Sequence, residues 1–449
     1  MKLKLLFSIL ITKSFVIGCA AQERLSLSDA IAKGLAQNFG VLVEQKNIEA
    51  NRNNNDWGVA GRYPTVTFNI NQNNNFNYLR NSEPTAAFQQ GRTINNGLVP
   101  SVNVNWVIFD GFRINLTKNR LAGLQRESEG NARIVIENTV QAVIMTYYDA
   151  VRAQERLNIF AKALKLSRDR YEYMQFKREV GSAVITDVLL EKTNYLSDSS
   201  GLLNQEVVYR SAIRNLNVLM AEKEVQKQYQ LTDSLIFEDQ PYNLDDLKNK
   251  MLASNSNLQT QYIVQELLKN DVRQRQSDVY PIISLNLTGT YGQNRQNLEG
   301  ATFANGIPRP NNTAMTQNYL AGLAFSMPLF NGGQIRRAIQ NAGIMESMGN
   351  LRIDLLKLSL ERDLAEAHDL YNLRRQLVKI ARENKAAAET NLQLAAEKFR
   401  TGSINSFEYR ILQTTYLDIA FGELQAIFNV LDAKTSLMRL TGGILNEGD

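Results

Sequence analysis

Two stretches of this chain, 131–180 and 351–401, contain neither glycine nor proline. Helix breakers are missing for so long that each stretch reads as one helix. If each helix runs from just after a Phe-x-Gly motif (Phe109-Asp110-Gly111, Phe330-Asn331-Gly332) to just before a Gly-Ser pair, both arms cover 67 residues, 113–179 and 334–400. At 1.5 Å per residue such a helix is ~100 Å long, more than any globular core needs. Within them Ile136, Val140, Val143, Tyr147 and Ala150 alternate steps of four and three. Leu360, Leu364, Ala367 and Tyr371 open the same register, which resumes at Ala388, Leu392, Ala395 and Phe399. Sustained 4-3 spacing predicts helices packed lengthwise as coiled coils.

The two arms belong to two halves. Tyr63-Pro64 recurs as Tyr280-Pro281, 217 residues on, and Leu27, Ala36 and Asn38 recur at the same offset as Leu244, Ala253 and Asn255. Phe109-x-Gly111 recurs as Phe330-x-Gly332 and Gly181-Ser182 as Gly402-Ser403, both 221 on. Several landmarks at near-constant offset indicate an internal duplication, with a loop absorbing the four-residue change. Each half reads as helix, strand, loop, strand, very long helix, tight turn and long helix. The second helices end near Met220 and at Gly442-Gly443. The first repeat spans 22–221, with a strand hairpin at about 63–109 and a helical tip near 181. Residues 222–449 hold a linking segment and the second repeat, with its hairpin at about 280–330 and its tip near 402.

The strand segments alternate. Thr65, Thr67 and Asn69 interleave with Val66, Phe68 and Ile70, and Ser101, Asn103 and Asn105 with Val102, Val104 and Trp106. Ser284, Asn286 and Thr288 interleave with Ile283, Leu285 and Leu287, and Gly322, Ala324 and Ser326 with Leu323, Phe325 and Met327. One apolar and one small polar face is the pattern of a transmembrane β-barrel, and a soluble sandwich edge would also show it. The intervening stretches, 71–97 and 291–317, are rich in Asn, Gln, Gly and Pro and read as exposed loops.

At the N-terminus Lys2 and Lys4 precede apolar runs that end at Gly18-Cys19-Ala20-Ala21, an export signal. Two processing routes fit. Val16-Ile17-Gly18-Cys19 resembles a bacterial lipobox, with the signal ending at 18 and Cys19 acylated; plain cleavage after Ala21 removes Cys19 with residues 1–21. No later run of ~18 apolar residues predicts a transmembrane helix.

Composition narrows the function. One Cys and one His exclude a disulfide framework and the usual transition-metal sites, so no metal and no cofactor is expected. The same scarcity removes most catalytic constellations, and the chain is read as no enzyme. The net charge of +5 falls to +2 without Lys2, Lys4 and Lys13, which gives no footprint for nucleic acid.

Four strands cannot close a barrel that needs about eight, and an open sheet edge in lipid is prohibitive. The chain must therefore oligomerise, with cyclic symmetry the default. Three copies give 12 strands.

The duplicated layout, the strand-exit motifs Trp106-Val107-Ile108-Phe109-Asp110-Gly111 and Met327-Pro328-Leu329-Phe330-Asn331-Gly332-Gly333, and the tip Val180-Gly181-Ser182-Ala183-Val184-Ile185-Thr186-Asp187-Val188-Leu189 resemble the TolC-type outer-membrane efflux channels. The resemblance covers essentially the whole mature chain. It implies an α+β membrane protein: a homotrimer with a β-barrel of four strands per chain in outer-membrane lipid, continued by a long periplasmic α-helical coiled-coil barrel. Residues 222–250 and the C-terminal end would form an equatorial layer. It further implies a passive exit duct of a tripartite efflux or type I secretion system. Such a duct is docked by a periplasmic adaptor (membrane fusion) protein and energised by an inner-membrane efflux pump or ABC secretion transporter. The tip residues Val180, Gly181, Ser182, Thr401, Gly402 and Ser403 become candidates for adaptor contact. The second tip departs from the family in carrying Glu408 where Asp is usual, and Ile404 where some members have a basic gating residue.

Asp187 and Glu408 each lie six residues after their tip glycine. Under threefold symmetry six carboxylates would ring the opening as a periplasmic gate that favours cations. Read locally, they are acids at helix N-termini, favourable with the helix dipole. Tyr171 and Tyr173 are expected to pack between helices, His368 to lie solvated or in a groove, and Trp106 to anchor at the lipid interface. The alternative reading of the whole chain is a periplasmic coiled-coil scaffold that never spans the membrane.

Overall fold

A computed structural model describes residues 23–80, 90–298, 307, 308 and 310–446. The export signal and Cys19 lie outside them. In chain order the elements are β1 (Glu23–Leu25), α1 (Leu27–Gln37), α2 (Phe39–Asn54), β2 (Thr65–Arg80), β3 (Gln90–Phe109), α3 (Arg113–Glu179) and α4 (Ile185–Leu219). There follow β4 (Tyr229–Leu231), α5 (Leu244–Ser254), α6 (Ser256–Ser277), β5 (Ile282–Asn297), β6 (Asn312–Ser326), α7 (Gln334–Arg400) and α8 (Ser406–Leu440). A short 3-10 turn, Ile444–Asn446, closes the described chain. The long helices have the bounds set by the glycine spacing, 67 residues each, and the helices after them have 35 each. No described helix is long and apolar enough to cross a membrane.

The compact units of the structure are not the sequence repeats. One comprises 1–41, 136–248 and 364–449, the other 42–135 and 249–363, so each draws on both halves.

The second unit holds an antiparallel sheet in the order β2-β3-β5-β6, whose outer strands each have one unpaired edge. The strands are longer than expected. β2 continues through Asn73-Asn74-Asn75 to Arg80, and β5 and β6 take in much of 291–317, so those stretches are mostly strand. The reason lies in the alternation, which persists under the polar composition. Asn71, Asn73, Asn75 and Asn77 continue the face of Thr65 and Thr67, while Phe76 and Tyr78 continue that of Phe68. Backbone pairing then carries the hairpin outward whatever the side chains are.

The first unit is a cluster of α3, α4, α7 and α8 over a core containing Val140, Val143, Tyr147, Ala150, Leu364 and Tyr371. Gly34 of α1 allows a close approach: a Cβ there would meet Val143 at 3.0 Å. β1 pairs in parallel with β4. The chain after α4 then runs as an extended strap over α7, held by Arg375 and Lys379 on Asp239 (2.5 and 2.9 Å). The Tyr371 hydroxyl donates to the Gln240 carbonyl (2.6 Å), and Arg382 donates to the Phe237 carbonyl (3.1 Å). His368 sits under this strap, its Nε2 3.2 Å from the Tyr242 carbonyl, and is therefore groove-packed.

Candidate functional site

The register places every small polar residue of the sheet on one face. Thr65 stands opposite Asn105, which stands opposite Asn286; Thr67, Asn103 and Thr288 form the next row, and Asn69, Ser101 and Thr290 the one after. These side chains satisfy one another. Asn105 donates to Asn286 (2.7 Å), Thr288 to Asn103 (3.0 Å) and Asn103 to Ser101 (3.3 Å). Among the described residues this face carries no ionisable side chain. The other face is apolar across all four strands: Val66, Val104, Leu287 and Ala321 in one row, Phe68, Val102, Gly289 and Tyr319 in another. Most of its large side chains are exposed in the single chain. Trp106 closes the apolar register, with its indole N–H donating to the Arg62 carbonyl (3.0 Å). A sheet wetted on one face and apolar on the other, with no charge on the wet side, suits a boundary between lipid and an aqueous duct.

The two tips are built alike. Gly181 and Gly402 have φ of +74° and +76°, where a Cβ would be strained. Ser182 N–H donates to the Lys177 carbonyl and Gly181 N–H to that of Arg178; Ser403 and Gly402 do the same to Lys398 and Phe399. This is the Schellman arrangement, which satisfies the last helical carbonyls and reverses the chain. Val180, Gly181, Ser182, Thr401, Gly402 and Ser403 are all exposed.

The helix starts that follow differ. Asn405 accepts from Glu408 N–H (2.9 Å) while the Glu408 carboxylate accepts from Asn405 N–H (3.0 Å), a complete capping box. At the first tip Val184 holds the cap position and offers no side-chain oxygen, so half-buried Asp187 has no equivalent engagement. The two acids thus share a spacing from the glycine but not a local role.

Behind the tips lies a buried polar cluster that sequence reading missed. Arg170 of α3 and Glu191 of α4 lie 3.3 Å apart with side chains 6% and 0% exposed, and the guanidinium stacks over the Tyr409 ring at 4.5 Å. Burial pulls the Arg170 guanidinium below its ordinary value, with Glu191 opposing, and burial pushes the Tyr409 phenol up. Beside it Arg410 of α8 donates to Asp198 of α4 at 2.8 Å. The Tyr409 hydroxyl, Asn194 Nδ2, Gln413 Nε2 and both Glu191 oxygens have no hydrogen-bond partner. A signal was present: Glu191, Asn194, Asp198 and Gln205 keep 4-3 type spacing and are all buried, while Leu189, Leu196 and Leu203 of the same helix are exposed. α4 is inverted relative to a soluble amphipathic helix. Tyr171 does pack between helices, stacked on Tyr195 at 6.0 Å, whereas Tyr173 stays on the surface beside Lys177. No group of His, Cys, Asp and Glu among the described residues is arranged to hold a metal.

Comparison with known proteins agrees with this geometry. Residues 247–443 match the family model described as outer membrane efflux protein, and the chain carries that domain there. The fold is that of solved outer-membrane channels. The Campylobacter jejuni CmeC outer membrane channel superposes with a TM-score of 0.71 at 14% identity, over 93% of this chain and 85% of that one. The outer membrane protein VceC of Vibrio cholerae gives 0.70 at 13%, over 93% and 96%. The open state of the Neisseria gonorrhoeae MtrE outer membrane channel gives 0.67 at 15%, over 93% and 89%. Among curated proteins none matches the sequence.

Proposed function

We propose, for a chain that carries an outer membrane efflux protein domain on the fold of outer-membrane channels, that it is the outer-membrane duct of an efflux or type I secretion system. The observation that carries this reading is the sheet: four antiparallel strands, apolar on one face and uncharged polar on the other, with both outer edges unpaired. β3 leads through Asp110 and Gly111 into a 67-residue helix, and β6 reaches its own after Asn331-Gly332-Gly333, the same layout once per duplicated half. In lipid such edges must be closed, and three copies supply a 12-stranded barrel. The exposed leucine stripe of α4 and a second one on α7, at Leu351, Leu355 and Leu358, suit helix packing between copies in the same ring.

In this reading the chain performs no chemistry. The tips at Gly181 and Gly402 meet a periplasmic adaptor, an inner-membrane pump or ABC transporter supplies the energy, and Asp187 and Glu408 line the periplasmic constriction. The uncharged wall of the sheet passes solutes without sorting them by charge, which leaves charge selection to the helical end. The test is reconstitution of the purified, detergent-solubilised protein into planar bilayers, with its mass measured in parallel. A complex of three chains with ohmic, adaptor-independent conductance when the tips are loosened is the expected result. A stable monomer with intact β-structure that never conducts would instead favour the periplasmic scaffold.

A further inference from the structure

The duplication provides a template for the missing contact. Inside one chain, β3 of the first repeat pairs with β5 of the second: Val104 faces Leu287, Asn105 faces Asn286 and Trp106 faces Leu285. The exit from β3 is covered there. Phe112 meets Phe109 and Tyr280 edge to face at 5.4 and 6.4 Å. Gly111 lies so close that a Cβ would come within 2.7 Å of the Ser277 carbonyl and the Tyr280 Cβ. At the exit from β6 nothing corresponds. Gly332 has open space where a Cβ would be, and Leu329 and Phe330 are 91% and 89% exposed. Tyr63, the first-repeat counterpart of Tyr280, is also exposed.

We propose that β6 of one copy pairs with β2 of the next in the register that β3 and β5 already use. This rests on the oligomeric duct proposed above and specifies how it closes. Carrying β3 onto β6 by 221 residues and β5 onto β2 by 217 sets Phe325 opposite Ile70, Ser326 opposite Asn69 and Ala324 opposite Asn71. The faces agree without adjustment. Phe325 and Ile70 both belong to the apolar face; Ser326, Asn69, Ala324 and Asn71 all belong to the polar one. A slip of one residue would put apolar side chains in the duct at every position. Further out, the same register brings Tyr319 opposite Phe76, 83% and 74% exposed in the single chain, as a cross-strand aromatic pair. Tyr63 then covers Leu329 and Phe330 as Tyr280 covers Phe109 and Phe112. Pro328 fits this arrangement because it replaces Val107, beside which β3 bulges, and a bulge tolerates the lost N–H. One element is not repeated. Asp278, which pairs with Arg113 inside the chain, corresponds to Gly61, so the contact between copies is apolar where the internal one is also ionic.

Paired cysteines test the register. Directly opposite residues have Cβ atoms ~5 Å apart and diagonal ones ~7–8 Å, so mild oxidation without a spacer distinguishes them. Phe325→Cys with Ile70→Cys, and Ser326→Cys with Asn69→Cys on the other face, should give covalent dimers and trimers on denaturing gels. The slipped pair Phe325→Cys with Phe68→Cys should lose those bands, and single-cysteine variants control for Cys19. Stronger linkage in the slipped pair, or none in any pair of a three-copy assembly, overturns the register while leaving the duct intact. A purified protein that is monomeric throughout overturns both.

Discussion

Ala221 and Gly442 occupy the same left-handed position one repeat apart, with φ of +51° and +69°. Each ends the second helix of its hairpin. Ala221 N–H donates to the Val218 carbonyl and Glu222 N–H to that of Asn217, as Gly442 and Gly443 do to Arg439 and Met438. Left-handed backbone costs an L-residue roughly 1–2 kcal/mol, offset in part by the greater freedom glycine has when unfolded. Ala221→Gly should therefore stabilise the protein by about 0.5–1 kcal/mol, and Gly442→Ala should destabilise it by a similar amount. Thermal loss of helical circular dichroism measures both. A lower midpoint for Ala221→Gly would show that the alanine methyl makes a contact worth more than the strain.

The sheet register makes a two-sided prediction. Arg at Phe68, Val104, Leu285 or Phe325 puts charge on the apolar face and should cost ~2–4 kcal/mol near the bilayer midplane. Thr67→Arg and Ser284→Arg lie on the polar face and should assemble better. The heat-stable oligomer recovered from outer-membrane fractions is the readout. Equal recovery from both faces would mean that lipid does not contact Phe68 and its neighbours.

Much of this arrangement was legible in the sequence, and what was not has identifiable causes. The ends of α3 and α7 follow from Phe-x-Gly and Gly-Ser, because few other residues accept φ near +75°. The strand lengths were misread because asparagine runs such as 73–75 have turn-like composition, although Phe76 and Tyr78 kept the alternation. The left-handed Phe112 was hidden by its identity, yet its repeat counterpart Gly333, at +78°, marks the position. The cluster at Arg170 and Glu191 was hidden because charge on a long helix normally means a solvated face. Only the inverted pattern of α4, polar inside and leucine outside, betrays it. The adaptor, the pump and the gate roles of Asp187 and Glu408 were readable through family resemblance alone.

The strap after α4 should loosen in acid. Hydrogen bonds from Lys227 and then Lys33 pull the Glu23 carboxyl from 4.5 down to about 2, and those from Arg375 and Lys379 pull Asp239 from 3.8 to about 2. Both folded values lie below the unfolded ones, so the detached state takes up protons first. The contribution is complete above about pH 4.5 and is lost as pH falls towards 2. Both groups face solvent, so the effect is modest and weakens with salt. Proteolysis within 222–243 should accelerate between pH 4.5 and 3, and Asp239→Asn should remove part of that dependence. A flat profile would leave the backbone contacts of Gln240 and Phe237 as the sole fastening.

At the tips, the capping box separates two roles that otherwise coincide. Asn405→Ala removes a cap and should cost about 1 kcal/mol of stability without altering ion selectivity. Glu408→Gln keeps both capping hydrogen bonds available but removes the charge, and Asp187→Asn removes the less engaged acid. If the carboxylates line the constriction, the double variant should lower cation preference and weaken block by divalent ions in single-channel recordings. Selectivity unchanged in a correctly assembled double variant would leave Glu408 as a cap and Asp187 as an acid near a helix start.

The buried pair behind the tips should respond asymmetrically to substitution. Removing one partner of a buried ion pair strands the other charge, at about 3–5 kcal/mol, whereas replacing both by apolar residues of similar size is often neutral or stabilising. Glu191→Gln should therefore lower the melting temperature markedly, since Arg170 has little solvent to turn to. Arg170→Met combined with Glu191→Leu should recover most of that loss and also relieve the unpaired Glu191 oxygens. The same double variant exposes the role of the cluster in motion. α3, α4 and α8 meet there through Arg170, Glu191, Tyr409, Arg410 and Asp198, and several of its polar atoms are unpaired in this arrangement. A second packing that pairs them would lie close in energy, which is what a hairpin needs if it is to shift between discrete states. An apolar cluster has no such alternative. The stabilised double variant should then open less often in planar bilayers at unchanged unit conductance, and an unchanged opening frequency would confine the cluster to stability.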